Sequence, residues 1–149
     1  MNWITPITDR TAADITNRTA RGFLNASDIN RIEGNIAWLA HQLSRFNIFA
    51  NITSVTDWNT AKVPNVSDFQ RIRSNIITLA AYAHAIRPDL WVNFHYIHEW
   101  RFQQIDFVTV NLLEMNVYLL RQVIDRMSII YRQASFKSGQ QLFLPQRRV

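Results

Sequence analysis

Two histidines three residues apart, His95 and His98, come closest in this sequence to the types and spacing of a metal site. On a helix, side chains at i and i+3 share a face, so two imidazoles could bind one zinc ion beside Glu99. A zinc-protease helix needs the pattern H-E-x-x-H, whereas this segment reads H-Y-I-H-E. The other two histidines, His41 and His84, are distant in sequence. We therefore interpret all four as ordinary surface or half-buried histidines and expect no metal site.

Other kinds of catalytic chemistry find still less support in the residues. The absence of cysteine excludes disulfides, thiolate catalysis and Cys-ligated metals. Three glycines could hardly build a phosphate-binding loop, and no G-x-S-x-G, P-loop or G-x-G-x-x-G pattern occurs. Most carboxylates fall where helix caps or loop anchors are expected, which leaves no evident acid/base pair. The sequence predicts a protein that is not an enzyme and needs no cofactor.

Length and composition are typical of one folded domain. The chain has 149 residues, 48% of them hydrophobic, which is enough for a single core. No apolar run approaches the roughly 18 residues of a membrane span, so we expect no membrane partner. The N-terminus lacks the basic and then apolar pattern of a signal peptide, which predicts synthesis in the cytosol without Sec export.

Arginine dominates the positive charge of the chain. The net charge is +5, and the sequence contains 14 Arg against 2 Lys. This balance permits a nucleic-acid or other anionic partner. No segment holds a run of five basic residues, however. We therefore interpret the Arg residues as solvated charge spread along helix faces.

One sequence pattern occurs twice, and this repeat predicts the architecture. "NASDINRIEGNIAWLA" starts at Asn25, and "NVSDFQRIRSNIITLA" starts at Asn65. An Asn followed three residues later by an Asp is typical of a helix N-cap with a reciprocal side-chain contact, so Asp28 and Asp68 fall at the third helical position. A weaker third copy begins at Asp106. The pattern predicts three capped helices.

The apolar residues of all three copies follow the 3-4 spacing of one helical stripe rather than the period of 2 of a strand. This predicted core consists of Ile29, Ile32, Ile36, Leu39, Leu43, Phe69, Ile72, Ile76, Leu79, Ala83, Val110, Leu113, Val117, Leu120 and Ile124.

The segments before the helices also resemble one another. "ITDRTAADI" precedes the first helix, "VTDWNTAKV" the second and "IHEWRFQQI" the third, so each repeat is an irregular arm with an acidic-aromatic anchor followed by a helix. An arm of this length can run back along the preceding helix, which would make successive helices parallel. An up-down-up bundle is the alternative. Asn35, Asn75 and Asn116 flank the stripe at one equivalent position, where each could hydrogen-bond the backbone of an arm.

The last fifteen residues change character. Helix three is expected to end near Ala134, and "SFKSGQQLFL" then suggests two short strands around Ser138-Gly139. The apolar residues beyond lie beside a basic pair, which predicts a partner-binding strand; its candidate residues are Leu142, Phe143, Leu144, Arg147 and Arg148. A frayed end, or a strand packed on the bundle itself, is the alternative interpretation.

These observations predict an all-α fold. Residues 1–134 form a bundle of three arm-plus-helix repeats, spanning about 1–47, 48–88 and 89–134. Residues 135–149 form a short β-hairpin that serves as a docking tail.

The stretches W-I-T-P-I-T-D and F-L-N-A-S-D-I-N-R-I-E-G-N-I resemble a repeated module of Gram-positive bacteriophage and prophage proteins. In that module a P-x-T-D-W arm precedes an N-x-x-D-x-N-R-I-E-x-N-I helix. The resemblance covers residues 1–86 well and 98–125 loosely, and the second copy departs at Gln70 and Arg73, where the module has Asn and Glu. The matching residues of copy one are Trp3, Pro6, Thr8, Asp9, Asn25, Asp28, Asn30, Arg31, Ile32, Glu33, Asn35 and Ile36; those of copy two are Asp57, Trp58, Asn65, Asp68, Arg71, Ile72, Asn75 and Ile76.

The resemblance implies a role without catalysis. It implies a structural or accessory protein of the virion, made in the host cytoplasm, that connects tail or baseplate parts through protein-protein contacts. Its expected partners are other virion proteins and copies of itself in a symmetric oligomer. The alternative from composition is a basic helical nucleic-acid-binding protein, which would need its Arg residues gathered on one face.

Overall fold

The computed structural model describes residues 2–88 and 106–141, with side chains up to residue 133. Four helices lie in these ranges: α1 (Ala12–Thr16), α2 (Ala26–Ser44), α3 (Val66–Ile86) and α4 (Phe107–Gln141), with a 3₁₀ turn at Ala20–Gly22 between α1 and α2. No strand occurs among the described residues, so the predicted all-α class is confirmed. None of the helices in these ranges is long and apolar enough to cross a membrane.

All three long helices begin at the predicted residues. The side chain of Asn25 accepts hydrogen bonds from the second and third amides of α2, and the Asp28 carboxylate accepts one from the amide of Asn25. Asn65 and Asp68 repeat this capping box at α3. At α4, the carboxylate of Asp106 accepts from the amide of Thr109 at 2.8 Å. The repeated sequence therefore satisfies helix-end donors that would otherwise lack partners.

Removing one cap is expected to destabilise the fold modestly. Asn25→Ala, Asn65→Ala and Asp106→Ala should each lower the free energy of unfolding by about 1 kcal/mol, because one or two N–H donors lose their acceptor. Urea denaturation of the three variants checks this. Ser74→Ala, in an exposed interior position of α3, is the control and should change stability by less than about 0.5 kcal/mol. Caps that behave like the control would contradict the assignment.

The cap of α4 should also make stability depend on pH. The hydrogen bond from the Thr109 amide, with smaller contributions from neighbouring donors, lowers the pKa of Asp106 below its ordinary value. A carboxylate with a lowered folded pKa contributes stability above its unfolded pKa of about 3.9, and the contribution is lost as pH falls through the folded pKa. The difference between wild type and Asp106→Ala should therefore be present at pH 6 and vanish in strong acid. A difference that persists at pH 2 would contradict this origin.

The predicted apolar stripe forms the core. All fifteen residues assigned to it from the sequence are at most 2% exposed. Ala80 of α3, Val123 and Met127 of α4, Trp58 of the second arm and Ile48 after α2 complete the buried cluster. The 3-4 spacing therefore identified the face of each helix that turns inward.

The three long helices run parallel. Arg31 of α2 contacts Glu114 of α4, and Arg71 of α3 contacts Glu33 of α2, and all four residues lie within the first three turns of their helices. At the opposite end, Phe46, just after α2, packs on Tyr131 of α4. Of the two arrangements consistent with the sequence, the structure has the parallel one.

The arms return along the grooves between helices, as a parallel bundle requires. In the second arm, Val55 donates its backbone N–H to Glu33 at 2.8 Å, and Trp58 donates to Asn30 at 2.9 Å. The chain thus travels from the end of α2 back toward its beginning before α3 starts. The first arm lies between α2 and α4, where Ile4 contacts Asn35 and Ile7 contacts Glu114. The third arm falls outside the described residues.

Asn35 and Asn75, whose arms lie among the described residues, bind those arms as predicted. The amide of Asn35 accepts from the N–H of Ile4 at 2.9 Å and donates to its carbonyl at 2.7 Å. Asn75 binds Thr53 in the same two-way manner, at 3.3 and 2.7 Å. Asn116 is buried and donates to the Leu112 carbonyl within α4 at 2.7 Å. The side-chain amides therefore fix the register of the first two arms.

The prediction that helix three ends near Ala134 is wrong, because α4 continues to Gln141. The first strand of the predicted hairpin is thus helical, including Ser138-Gly139; residues 142–149 lie outside the described part. The helix can continue because the segment contains no proline and one glycine costs only about 1 kcal/mol against alanine. Arg, Gln, Ala and Lys in this segment favour the helix. The Ser138-Gly139 pair favours a turn less strongly than these neighbouring residues favour a helix.

Candidate functional site

A buried ionic cluster joins the first arm, α2 and α4 near the N-terminal ends of the two helices. We call it the Glu114 cluster: Arg10 of the first arm, Asp28 and Arg31 of α2, and Glu114 of α4. The Glu114 carboxylate accepts from the Ile7 amide at 2.7 Å, from Arg10 at 2.9 Å and from two nitrogens of Arg31 at 3.0 and 2.7 Å. Its side chain is 1% exposed and that of Arg10 is 3% exposed.

A second cluster repeats this arrangement one repeat later. Glu33 of α2 accepts from the Val55 amide at 2.8 Å, from the indole N–H of Trp58 at 3.2 Å and from both terminal nitrogens of Arg71 at 2.6 and 2.7 Å. We call it the Glu33 cluster. In each cluster a buried glutamate of one helix binds an arginine of a neighbouring helix and the arm between them. Arg10 occupies in the first cluster the place that Trp58 occupies in the second.

The chemistry of these clusters is structural. Every donor on the two glutamates is a backbone N–H, an indole N–H or a guanidinium, none of which releases a proton near neutral pH. The side chains of Glu114 and Glu33 are only 1% and 0% exposed. The Glu114 cluster holds two guanidinium and two carboxylate groups, so its buried charge is balanced. Such balance is what makes burial of charge tolerable.

The third helix pair, α3 with α4, departs from this scheme. The position equivalent to Glu33 and Glu114 holds Arg73 in α3, and the position equivalent to Arg31 and Arg71 holds Leu112 in α4. The glutamate and the arginine that build each of the other two clusters are therefore replaced at this pair, by Arg73 and Leu112 respectively. Packing between α3 and α4 involves the apolar stripe, including Ile76 and Val117.

The interpretation of Arg residues as solvated surface charge is wrong for those that matter most to the fold. Arg10 and Arg31 are buried, and Arg71 is three-quarters buried. The predicted acidic-aromatic anchor also needs correction, because the acidic member is the exposed one: the Asp57 side chain is 79% exposed and pairs with Lys62. The anchor is the residue that follows, Trp58, because its ring can be buried while its N–H reaches Glu33.

An aromatic cluster on the side of the bundle could have been a ligand platform. The ring of Trp3 packs edge-on against Trp38 at 5.2 Å. The guanidinium of Arg121 covers both rings at 4.6 and 5.4 Å and also contacts Asp125 at 3.3 Å. The cation therefore already occupies the aromatic faces. The arrangement attaches the start of the first arm to α2 and α4.

An open apolar groove lies at the C-terminal end of the bundle. We call it the terminal groove; its volume is about 270 Å³, and it is lined by Phe46, Ile86, Arg87, Met127, Ile130 and Tyr131. Met127 is buried at its base, whereas Ile86, Ile130 and Tyr131 are 46%, 36% and 61% exposed. The groove exists because α2 and α3 end here while α4 continues.

The residues that the sequence singled out for metal or partner binding lie elsewhere. His95, His98 and Glu99 fall outside the described residues, as does the candidate tail formed by Leu142, Phe143, Leu144, Arg147 and Arg148. Within residues 2–88 and 106–133, no group of three His, Asp or Glu side chains could hold a metal ion. The structure does place residues 135–141, the start of the predicted tail, in α4.

Comparisons of the chain with known proteins provide no relative from which a role could be transferred. The chain matches no family model, no curated protein and no solved structure.

Proposed function

We propose that this chain is a non-enzymatic structural protein of a bacteriophage virion, which connects parts of the tail or baseplate through protein-protein contacts. The observation that carries the proposal is the arm-plus-helix motif in its two clear copies. It resembles the repeated module of Gram-positive phage and prophage proteins.

The use that the fold makes of the motif supports this proposal. Asn25 and Asp28 cap α2, Glu33 and Arg31 build the two buried clusters, and Asn35 binds the first arm. The polar residues of this motif cap a helix or hold an arm on a helix. Such a use is expected of a rigid scaffold rather than of a reactive site. The host cytoplasm would then be where the protein is made, and the virion where it acts.

Particle composition tests the proposal directly. Phage particles purified from a producing host should contain this protein in a fixed copy number per particle, measurable by quantitative mass spectrometry. The major tail protein of the same particles provides the copy-number standard. Particles that retain their tails but lack the protein would contradict a virion role.

The C-terminal tail is expected to serve assembly rather than folding. Deleting residues 137–149 removes residues 142–149 and the last five residues of α4, which begin ten positions after Met127, the last residue of α4 in the buried cluster. Helical content and melting temperature should therefore stay nearly unchanged, while incorporation into particles is lost. Circular dichroism and particle association of the truncated protein check both parts. A truncated chain that unfolds would show that the tail belongs to the core.

The charge of the chain motivates the alternative, nucleic-acid binding, and salt dependence separates it from the proposal. A protein that neutralises several phosphates loses affinity steeply as salt rises. We expect affinity no tighter than about 10⁻⁶ M for duplex DNA at physiological salt, the range of ordinary non-specific binding. Mobility shifts across a salt series measure it. A tighter, salt-sensitive complex would favour the alternative.

A further inference from the structure

The first arm is held between α2 and α4 by contacts that any identical arm could make. The side-chain amide of Asn35 binds the N–H and the carbonyl of Ile4 at 2.9 and 2.7 Å. From the other side, Asn111 of α4 binds the N–H and the carbonyl of Arg10 at 3.2 and 2.8 Å. Hydrogen bonds to the main chain are also the means by which receptors hold extended peptides. We call this site the first-arm groove.

The first-arm groove requires a cation from the arm that fills it. Without Arg10, the carboxylates of Asp28 and Glu114 would face Arg31 alone, and a net negative charge would be buried. The second arm cannot supply the cation, because it carries the neutral Trp58 at the equivalent position. The groove therefore selects a first arm, either that of its own chain or that of another copy.

The connection between the first arm and α2 lies outside the core. We call residues 11–24 the linker; it forms α1 and the 3₁₀ turn, and none of its fourteen residues is buried. Ile15 and Leu24 border a small cavity beside Phe107, yet they remain 44% and 36% exposed. The second arm is joined to α3 by only six residues, 59–64. The first repeat thus has eight additional residues here that the core does not need.

The length of the linker decides how far the first arm can travel. At about 3.3 Å per residue, fourteen extended residues span up to about 46 Å, whereas six span about 20 Å. A helix with its side chains is about 10–12 Å across, so a bundle of three helices is roughly 20–25 Å wide. The linker can therefore carry the first arm to the groove of a neighbouring bundle, and the short connection of the second arm cannot.

The folded linker also contains a strained residue. Arg18 has a φ of 50°, in the left-handed region that residues other than glycine and asparagine adopt at a cost. This conformation lies in the tight turn after α1, where the amides of Asn17 and Thr19 bind the carbonyls of Ala13 and Asp14. Extension of the linker would release this strain.

We propose that first arms are exchanged between copies of the chain, so that the arm of one copy occupies the first-arm groove of another. The exchanged arm has the same sequence and keeps every contact in the groove, including the charge balance of the Glu114 cluster. Exchange also relieves Arg18, and a high concentration of copies favours it by mass action. The inference goes beyond the virion role, because exchange takes place in the purified protein.

A photo-crosslinker on the first arm reveals which copy the arm occupies. Ile4→Cys provides a single attachment site, because the natural sequence has no cysteine. The side chain of Ile4 is 55% exposed, and it is the backbone of this residue that binds Asn35. The variant, labelled with benzophenone maleimide, is mixed with an equal amount of ¹⁵N-labelled wild type. The two are unfolded together in urea, refolded and irradiated, and mass spectrometry then separates heavy from light crosslinked peptides that contain Asn35.

Heavy peptides can come only from a different copy. Their share among the crosslinks should rise with protein concentration toward one half, the value expected when arms choose between the two kinds of chain at random. Far-UV circular dichroism confirms that the labelled chain is folded. Light peptides alone, at the highest soluble concentration, would overturn the proposal.

The matched control carries the same probe on the second arm. Thr53 is exposed and binds Asn75 as Ile4 binds Asn35, but its arm is tied to helices at both ends. Thr53→Cys should therefore give only light peptides that contain Asn75. A heavy share equal to that of the Ile4 probe would indicate random collisions and would overturn the proposal.

Arg18→Gly tests the contribution of the strained turn. Glycine adopts positive φ without strain, so the closed linker gains stability, and the heavy share at a fixed concentration should fall at least about twofold. An unchanged heavy share would overturn the role given to Arg18. All of these measurements use purified chains without particles, so arms that stay in their own copy would leave the virion role standing. Particles that lack the protein would likewise leave measured exchange intact.

Discussion

Replacing Glu114 with glutamine is expected to lower the free energy of unfolding by about 3–5 kcal/mol, the usual cost of removing one partner from a buried ion pair. Glutamine keeps the shape of the side chain and can still accept a hydrogen bond from Ile7. It removes the negative charge that faces Arg10 and Arg31, however. The cluster then holds two guanidinium groups against Asp28 alone, and a net positive charge remains buried. That charge cannot be relieved by deprotonation, because arginine stays protonated in proteins.

Chemical denaturation followed by circular dichroism measures this cost. The matched control is Asp125→Asn, which breaks the exposed ion pair with Arg121 on the same helix and should cost less than about 1 kcal/mol. Glu33→Gln should resemble Glu114→Gln, with a smaller loss, because Arg71 is more exposed than Arg31 and Trp58 is neutral. If Glu114→Gln were as stable as Asp125→Asn, the cluster would contribute nothing to the fold.

The local features of the fold could be predicted from sequence because each depends on residues close together in the chain. An N-cap and its reciprocal Asp are three residues apart, and the core stripe repeats every three or four residues. Asn25, Asp28 and the fifteen stripe residues could therefore be assigned from the order of residue types alone. The repeat length also allowed parallel helices, although it did not exclude an antiparallel arrangement.

The ionic clusters depend on residues far apart in sequence, and the sequence does not say which residues pair. Arg31 and Glu114 are separated by 83 positions, and Arg10 and Glu114 by 104. One signal was nevertheless present: Glu33 and Glu114 recur at the same position beside the stripe. A charged residue that repeats beside a core face is a candidate buried acceptor, and the alignment of "ITDR" with "VTDW" places Arg10 where the second arm has Trp58.

The predicted end of α4 was wrong for a different physical reason. Ser138-Gly139 suggested a turn because glycine favours turn conformations, yet a single glycine penalty is small beside the continuation of a long helix. The terminal groove does not depend on this extension, because its α4 residues, Met127, Ile130 and Tyr131, all precede Ala134.

Truncation of the core stripe is the second large effect that the fold predicts. Ile36 and Ile76 occupy equivalent positions in α2 and α3, and both are fully buried at 0% exposure. Ile36→Ala or Ile76→Ala should each lower the free energy of unfolding by about 2–5 kcal/mol, through the lost burial of three carbons and the cavity left behind. The two sites share one closely packed core, so neighbouring side chains can relax only partly into the space. At about 2–4 °C per kcal/mol for a domain of this size, each melting temperature should fall by roughly 5–15 °C.

Thermal melts of both variants and of the control Ile129→Ala test whether burial of the core stripe stabilises the fold. Ile129 is 57% exposed on α4, so the same truncation there should change the melting temperature by no more than about 2 °C. Ile36 and Ile76 belong to one buried cluster, so the loss of stability in the double variant is expected to differ from the sum of the two single losses. Strict additivity would indicate that the two side chains share no contacts. Unchanged midpoints in both single variants would mean that the repeated stripe is not the core.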